Sequence, residues 1–518
     1  MIKHPSLGEG LGGLYNMNYS QFLNMIPEAT LVLALIIVFC ADFALHKSER
    51  KNFTLGVLTG ALLLCQLVPC FIAEPAQAFG GIYVTTPIVS VMKTILTAGT
   101  FIVVVMSQAW IASPNPSKGG ATVPPSPNPS KGGESRPIRF AGEYYMLLIS
   151  TLLGMYMMLS AGSFLMFFLG LEMASVPMAC LVAFDKKKKD SAEAAAKYIL
   201  MATFSSGVML FGISFIYAAT GSLYFDNVAA AITASPLSIV GMVFFFSGLG
   251  FKISLVPFHF WTADTYQGAP TPVTGYLSVV SKGAATLTLA IILVKVFGAM
   301  AHWWQPMLWV VIMATITVGN LMAIRQTELK RFMAFSSISQ AGYIMLAVIG
   351  ADPATSQTAL TFYVLVYVVA NMSVFSVISA VEHRAGAGTQ MSAYNGLYQT
   401  NPKLAFIMTI ALFSLAGIPP FAGMFSKFFV FMAGVNGQDA HPFWPYFVVF
   451  IALINTVISL YYYLLIVKAM YIKPEEHPLP TFAHGKAINA SLAICTAGIL
   501  LFGVCSCIYE WISKAAGM

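Results

Sequence analysis

The chain has 518 residues, of which 58% are hydrophobic and only 9% charged, with a formal net charge of +7. Soluble proteins carry about 25% charged residues, so a string of soluble domains is excluded. The apolar runs are each about 20 residues long, which matches a bilayer core, and they lack the alternation of a β-barrel. The expected fold is a single all-α polytopic membrane bundle.

Fourteen spans are predicted, numbered here in chain order. They fall near 26–45, 53–73, 86–111, 141–160, 163–184, 194–219, 236–257, 272–298, 306–325, 330–350, 358–381, 403–433, 444–469 and 487–511. The first apolar run, starting near Ile26, leads into Ala41-Asp42-Phe43 with no small-residue cleavage site, and reads as a retained helix. Basic residues sort to one side of this scheme. Lys47, Arg50 and Lys51 follow span 1; Lys118, Lys131, Arg136 and Arg139 follow span 3; Lys186 to Lys189 follow span 5. Arg325, Lys330 and Arg331 follow span 9, Arg384 and Lys403 span 11, and Lys468, Lys473 and Lys486 span 13. The connections near 74–85, 220–235, 299–305, 351–357 and 434–443 carry none. By the positive-inside rule the basic connections face the cytoplasm and both tails face the periplasm or its equivalent. That placement also argues against nucleic acid or another acidic partner as the reason for the positive charge.

Residues 112–138 contain SPNPSKGG twice, at 113–120 and 126–133. Proline and glycine at this density cannot pack a core, so a disordered cytoplasmic loop is expected. The DKKKKD run at 185–190 reads as a topology anchor beside anionic lipid. Cys40, Cys65, Cys70, Cys180, Cys495, Cys505 and Cys507 lie in or beside apolar runs without metal-ligand spacing. They read as small core hydrophobes, with no zinc, iron–sulfur or disulfide site expected.

Four charged residues fall at mid-membrane: Glu172, Lys252, Lys282 and Lys427. A charge there costs roughly 2.5–3.5 kcal/mol, and such residues normally face a protein interior or water and mark an ion or proton path. Glu172 on span 5 and Lys252 on span 7 are expected to pair. A pair that can separate is a protonation switch, because burial favours the neutral form of each partner once it is alone; a static structural ion pair is the alternative. Lys282 and Lys427 have no nearby carboxylate in sequence, which favours a relay with Lys282 at its centre. Ser278, Ser281 and Thr286 could hold water around it.

Two spans are expected to be broken. Pro257 interrupts span 7, and Gly417-Ile418-Pro419-Pro420 interrupts span 12 ahead of Lys427. Freed carbonyls at that depth are tolerated where they line a polar cavity. Lys252 and Lys427 lie 175 residues, or five spans, apart. This suggests two inverted five-helix repeats, 141–298 (spans 4–8) and 306–469 (spans 9–13), with the two lysines equivalent. Among weaker candidates, Glu193 and Lys197 form an i,i+4 pair at the cytoplasmic end of span 6, read first as an ordinary surface pair and second as members of the relay. His259 could pass protons toward Lys252 or simply cap a helix. Glu28, Asp42 and Asp264 are read as interfacial, and Lys93 and Lys295 as snorkelling to the nearest surface. Trp303, Trp304, Trp309 and Trp444 read as a periplasmic aromatic belt.

At four segments the chain resembles the antiporter-like, proton-translocating subunits of respiratory complex I. These are GLEMASVP (170–177), FKISLVPFHFWTADTYQGAPTPVTGYLSVVSK (251–282), RQTELKRFMAFSSISQAGY (325–343) and SLAGIPPFAGMFSKF (414–428). The resemblance covers nearly the whole chain outside the repeat loop. The stretch from Asp264 to Val273 is similar to the N type of bacterial NADH–quinone oxidoreductase rather than the sister types L and M. It implies that Glu172, Lys252, Lys282 and Lys427 occupy the family's relay positions. It further implies a bacterial inner-membrane location beside other membrane subunits of a redox complex. NADH and quinone would be used elsewhere in that complex, with no cofactor held by this chain. Gln340 stands where many relatives have a histidine, which puts a titrating step there in doubt. A sodium/proton antiporter subunit, which shares the fold, is the alternative function, and a non-transporting scaffold is a third.

Overall fold

The computed structural model describes residues 19–46, 48, 50–111, 140–186, 188–350, 352–384, 388–436, 443–473, 479–482 and 485–517. The repeat loop expected at 112–138 lies outside them. Twelve helices among the described residues are long and apolar enough to cross a bilayer. Two more complete the expected fourteen spans. Span 4, Ala141–Leu159, is diluted by Tyr144, Tyr145 and Thr151, and span 12 is split into Pro402–Ala416 and Ala422–Val435.

Contacts between connections support this count, because an up–down bundle brings odd connections together at one end and even ones at the other. At one end Lys188 pairs with Glu382 at 3.6 Å, and Lys330 donates to the Ala269 carbonyl at 2.9 Å. At the other, Tyr83 bridges Ala161, Ser163 bridges Tyr224, and Lys295 pairs with Asp226 at 2.7 Å. Lys295 is thus ion-paired at that end. Lys330 is buried instead of lying in solvent, and Lys188 in the basic run, though exposed, pairs with Asp185 and Glu382.

Spans 8 (Thr271–Lys295), 10 (Leu329–Ile349) and 11 (Pro353–Arg384) are buried along nearly their whole length. Spans 1, 6, 13 and 14 present exposed apolar faces such as Phe43, Phe204, Val457 and Leu501. Small residues let the spans approach backbone to backbone. A Cβ on Gly154 of span 4 would lie 2.4 Å from the Ala174 amide of span 5, and one on Gly319 of span 9 would lie 2.7 Å from the Ser339 amide of span 10.

Both expected breaks are present. The first half of span 7, Pro236–Ile253, ends at Ser254 (φ 68), and that of span 12 ends at Gly417 (φ 88). Each is closed by the same 6→1 bond: Leu255 N–H donates to the Gly250 carbonyl at 2.8 Å, and Ile418 N–H to the Phe413 carbonyl at 3.0 Å. Pro257 and Pro419-Pro420 follow these caps, where they cannot continue a helix. The second halves are Phe260–Gly268 and Ala422–Val435. The matching caps correct one expectation: Lys252 precedes its break and Lys427 follows its own, so the two lysines are not equivalent positions.

Three further departures matter. Residues 76–85 form a small hairpin, β1 (Ala76–Ala78) with β2 (Tyr83–Thr85), fastened to span 4 by Val84 N–H to the Ser160 carbonyl at 2.9 Å. Span 14 ends at Val504 instead of 511, because Cys505 turns extended, and Cys507–Gly517 forms a separate amphipathic helix. That helix buries Ile512 and Ala515 and stacks Tyr509 on Phe429 at 3.8 Å. Trp304 leaves the expected belt: it is buried, with its indole N–H on the Phe297 carbonyl at 3.0 Å.

Candidate functional site

Lys252 sits on the last turn before the span 7 break, fully surrounded by protein. Its ammonium donates to Ser175 Oγ at 2.8 Å and to Tyr198 OH at 3.3 Å. Glu172 lies one turn from Ser175 on span 5, so both share a face. Its carboxylate makes no ion pair among the described residues, and its Oε1 is buried without a hydrogen-bond partner. The expected direct Glu172–Lys252 contact is therefore corrected: Lys252 donates instead to Ser175, whose own hydroxyl donates to the Leu171 carbonyl at 2.7 Å, and Glu172 acts on Lys252 only through its charge.

The break itself is polar. The Phe251 carbonyl accepts the Trp261 indole N–H at 3.0 Å, and Thr262 Oγ1 donates to Ser254 Oγ at 2.8 Å. His259 stacks on Phe260 at 4.5 Å with its Nδ1 buried and unpartnered. No hydrogen bond or ion pair joins it to Lys252 among the described residues.

Lys282 opens the second part of span 8, directly after a π-helical segment, Leu277–Ser281. Such bulges are frequent at functional sites because they re-aim one side chain. Its ammonium donates to Ser337 Oγ of span 10 at 2.5 Å and lies 5.5 Å from the Tyr266 ring. Tyr266 OH and Ser337 Oγ are 3.2 Å apart, so the second half of span 7 reaches the central lysine. The serines and threonine expected to serve it do otherwise: Ser278 accepts from Asn371, and Thr286 donates to its own helix. Ser281 Oγ is unpartnered.

Gln340 lies one turn beyond Ser337 on the same span. Its carbonyl accepts from Tyr363 OH, and its amide donates to the Leu415 carbonyl at 3.3 Å and to Tyr463 OH at 3.2 Å. Gln340, Tyr363, Tyr367 and Ser426 line a small cavity together with Lys427. Lys427 donates to the Ala416 carbonyl, freed by the span 12 break, at 3.0 Å, and sits 4.9 Å from the Tyr343 ring. Gly417 leaves it room: a Cβ there would stand 3.1 Å from Lys427 Cδ.

The three lysines share one pattern. Each faces a tyrosine ring and a neutral hydroxyl or carbonyl, and none is ion-paired among the described residues. An ammonium whose hydrogen bonds all go to neutral groups can pass on its proton without stranding a hydrogen-bonded carboxylate; Lys252 alone of the three also feels the charge of Glu172. An ammonium in a buried ion pair can do so only by handing the proton to its partner carboxylate or by leaving that carboxylate unpaired, which is costly.

Comparison with known proteins settles the kinship. Residues 161–459 match the family model described as NADH:quinone oxidoreductase/Mrp antiporter, transmembrane. NADH-quinone oxidoreductase subunit N of Phocaeicola vulgatus is 52% identical over 500 residues, which cover 96% of this chain and 100% of the relative. The chain belongs to this family. The subunit N of Azobacteroides pseudotrichonymphae is 48% identical over 498 residues, covering 96% of this chain and 98% of that one. A chain of respiratory complex I from Thermus thermophilus with bound aureothin superposes with a TM-score of 0.71 at 27% identity, covering 92% of this chain and 97% of that one. A chain of the Mrp complex from a Dietzia species reaches a TM-score of 0.78 at 20% identity, over 96% of this chain and 97% of that one, and so shares the fold.

Within this family member the lesser candidates form a network at the basic end. Lys197 pairs with Glu193 and with Asp264, each at 2.8 Å, and Arg331 pairs with Asp264 at 2.6 Å. With Asp190 and Gln267, the first three line a polar pocket. Asp264 thus ties spans 6, 7 and 10 together instead of only meeting an interface. Sequence reasoning missed a further site altogether. Glu28 and Lys93, expected at surfaces, are buried and paired at 2.6 Å.

Proposed function

We infer that this chain is the N-type membrane subunit of a proton-translocating NADH–quinone oxidoreductase. It moves protons through the lysine line and holds no redox group, while NADH oxidation and quinone reduction take place in other subunits. The observation that carries this reading is the set of three buried lysines without ion pairs, each hydrogen-bonded to neutral hydroxyl or carbonyl groups beside the broken spans 7 and 12 or the π-helical turn of span 8. The likeness to subunit N relatives along almost the whole chain supports the choice of complex.

In the proposed route, protons enter at the basic end near Glu193, Lys197 and Asp264 and reach Lys252. Tyr266 and Ser337 hand them to Lys282, and Gln340 with Tyr363 leads on to Lys427. Gln340 cannot titrate, so it acts by orienting Tyr363 and water, not by carrying a proton. The sorting of basic residues supports a bacterial inner-membrane orientation with the basic end cytoplasmic and both termini periplasmic. The matched helix caps at Ser254 and Gly417 support two inverted repeats. Other membrane subunits are its partners, and the partly exposed Glu172 stands on a face that could meet one.

A sodium/proton antiporter subunit is the competing reading, and its support is a likeness of fold. The test uses the assembled complex in sealed vesicles with Lys282→Ala. Loss of NADH-driven proton movement, with NADH oxidation retained under uncoupler, supports the proposal. Unchanged pumping, or proton movement driven by a sodium gradient alone, overturns it.

A further inference from the structure

We propose that Glu28, Lys93 and Tyr83 form a second proton-exchange station, joined to Lys282 by polar groups along span 3 and opening at the end of the bundle away from the basic connections. The proposal rests on the proton-translocating reading above.

The station draws on three elements. Lys93 of span 3 places its ammonium 2.6 Å from Glu28 Oε1 of span 1 and 3.3 Å from Tyr83 OH of β2. Tyr83 donates to Glu28 Oε2 at 3.0 Å. A buried pair is weak evidence for stability, because desolvation offsets the attraction. A pair serving only to pin span 1 would also need no polar groups leading away from it, yet here they continue in both directions.

Toward the centre, Thr97 meets Tyr156 OH, which lies 3.3 Å from the Lys93 carbonyl and 3.0 Å from Cys70 Sγ. Thr100, a turn farther, stands beside Tyr276, whose hydroxyl meets Thr151 Oγ1 at 2.8 Å. Tyr276 immediately precedes the π-helical segment that delivers Lys282. There Asn371 donates to Ser278 at 2.6 Å, while Asn371 Oδ1 and Ser281 Oγ are buried without partners. Gly99 seats span 3 against this segment, since a Cβ there would be 2.9 Å from Val280. Toward the hairpin, Ser90 Oγ, one turn before Lys93, and Thr85 Oγ1, next but one to Tyr83, are buried and unpartnered as well. Buried polar atoms without protein partners are where ordered water is held.

The other titratable groups facing the pair are Tyr83 from the hairpin, Tyr156 from span 4 and Cys70 from span 2. In the exchange, Lys93 Nζ passes a proton to Glu28 Oε1, leaving an amine and a carboxylic acid. The amine takes the proton arriving along Thr97 and Tyr156. Glu28 then releases its proton to water on the Ser90 and Thr85 side, restoring ammonium and carboxylate. One proton enters and one leaves, and no electron moves.

The test uses the assembled complex in sealed vesicles, with two variants. Glu28→Gln combined with Lys93→Met removes both charges and leaves none unpaired in the interior. Tyr83→Phe removes one hydroxyl. Both are expected to assemble, to lower the proton yield per NADH, and to shift its dependence on the pH of the compartment facing the hairpin. An assembled variant with unchanged yield and unchanged pH dependence overturns the proposal; if the double variant fails to assemble, Tyr83→Phe decides alone. Lys282→Ala, run alongside, separates the two failures. If it pumps normally, the translocation reading itself falls; if it alone loses pumping, only the second station falls.

Discussion

Replacing Gln340 by leucine should interrupt the line between Lys282 and Lys427 while leaving all three lysines in place. Gln340 is almost wholly buried and satisfies three neighbours at once: Tyr363 OH, the Leu415 carbonyl and Tyr463 OH. Leucine has similar bulk but satisfies none. Each buried polar group left unpaired costs about 1–3 kcal/mol. Tyr463 keeps Ser336 at 2.5 Å, so the loss falls mainly on Tyr363 and the Leu415 carbonyl. A barrier raised by about 3 kcal/mol at one hand-over slows it roughly a hundredfold. The assay is NADH-driven proton uptake into vesicles, scored against NADH oxidation in uncoupler. Gln340→Leu should keep the uncoupled oxidation and lose the proton yield attributable to this subunit. Gln340→His, which can both donate and accept, should restore it. If Gln340→Leu assembles and pumps as well as the parent, Lys427 is not reached through this position and the proposed route is wrong.

Other consequences can be checked in the same preparations. Lys282→Arg keeps a positive charge that cannot be released, so it should assemble and fail to pump; normal pumping would show that charge alone suffices. Gly417→Ala forces an alanine into left-handed backbone, costing about 1–2 kcal/mol. Because the added carbon also presses on Lys427, both thermal stability and pumping should drop, and a neutral outcome would contradict the described break. Asp352 accepts from the Thr355 hydroxyl and from the Thr355 and Ala354 amides, at 3.1 and 3.2 Å for the amides, at the start of span 11. The Thr355 hydroxyl holds its carboxyl below the usual carboxylate range. A depressed value means that the stabilisation is present above the unfolded pKa and fades as pH falls through the folded one. Asp352→Ala should therefore cost about 1 kcal/mol near neutrality and measurably less in strong acid, whereas an equal loss at both would refute the charge's part.

Much of the architecture was legible because membrane insertion writes it plainly. Long apolar runs count the spans, basic residues sort their ends, and proline beside glycine marks where spans 7 and 12 open. Lys252, Lys282 and Lys427 stood out because charge is costly at that depth. Their partners were hidden, since which side chain of span 10 faces span 8 depends on helix rotation that a uniformly apolar sequence does not record. Ser337 and Tyr266 therefore leave no signal in the sequence, whereas Ser278 and Thr286 merely lie nearer to Lys282 along the chain. Opposite charge points Glu172 at Lys252, but Ser175, one turn along, takes the ammonium's hydrogen bond. Glu28 and Lys93 misled in the other direction. Each lies within two turns of a loop, so each looked like a surface residue until β2 and span 4 closed over them. The end of span 14 was overrun because Cys505 and the residues after it remain apolar enough to conceal a turn.

Proton translocation by this chain requires that Lys252, Lys282 and Lys427 exchange their protons during turnover. Infrared difference spectra of the intact complex, with isotope-labelled lysine and taken between resting and NADH-driven states, report this. We expect ammonium bands to diminish on energisation, with part of that change absent from each single arginine replacement. Spectra in which every lysine keeps its ammonium signature through sustained pumping would contradict it.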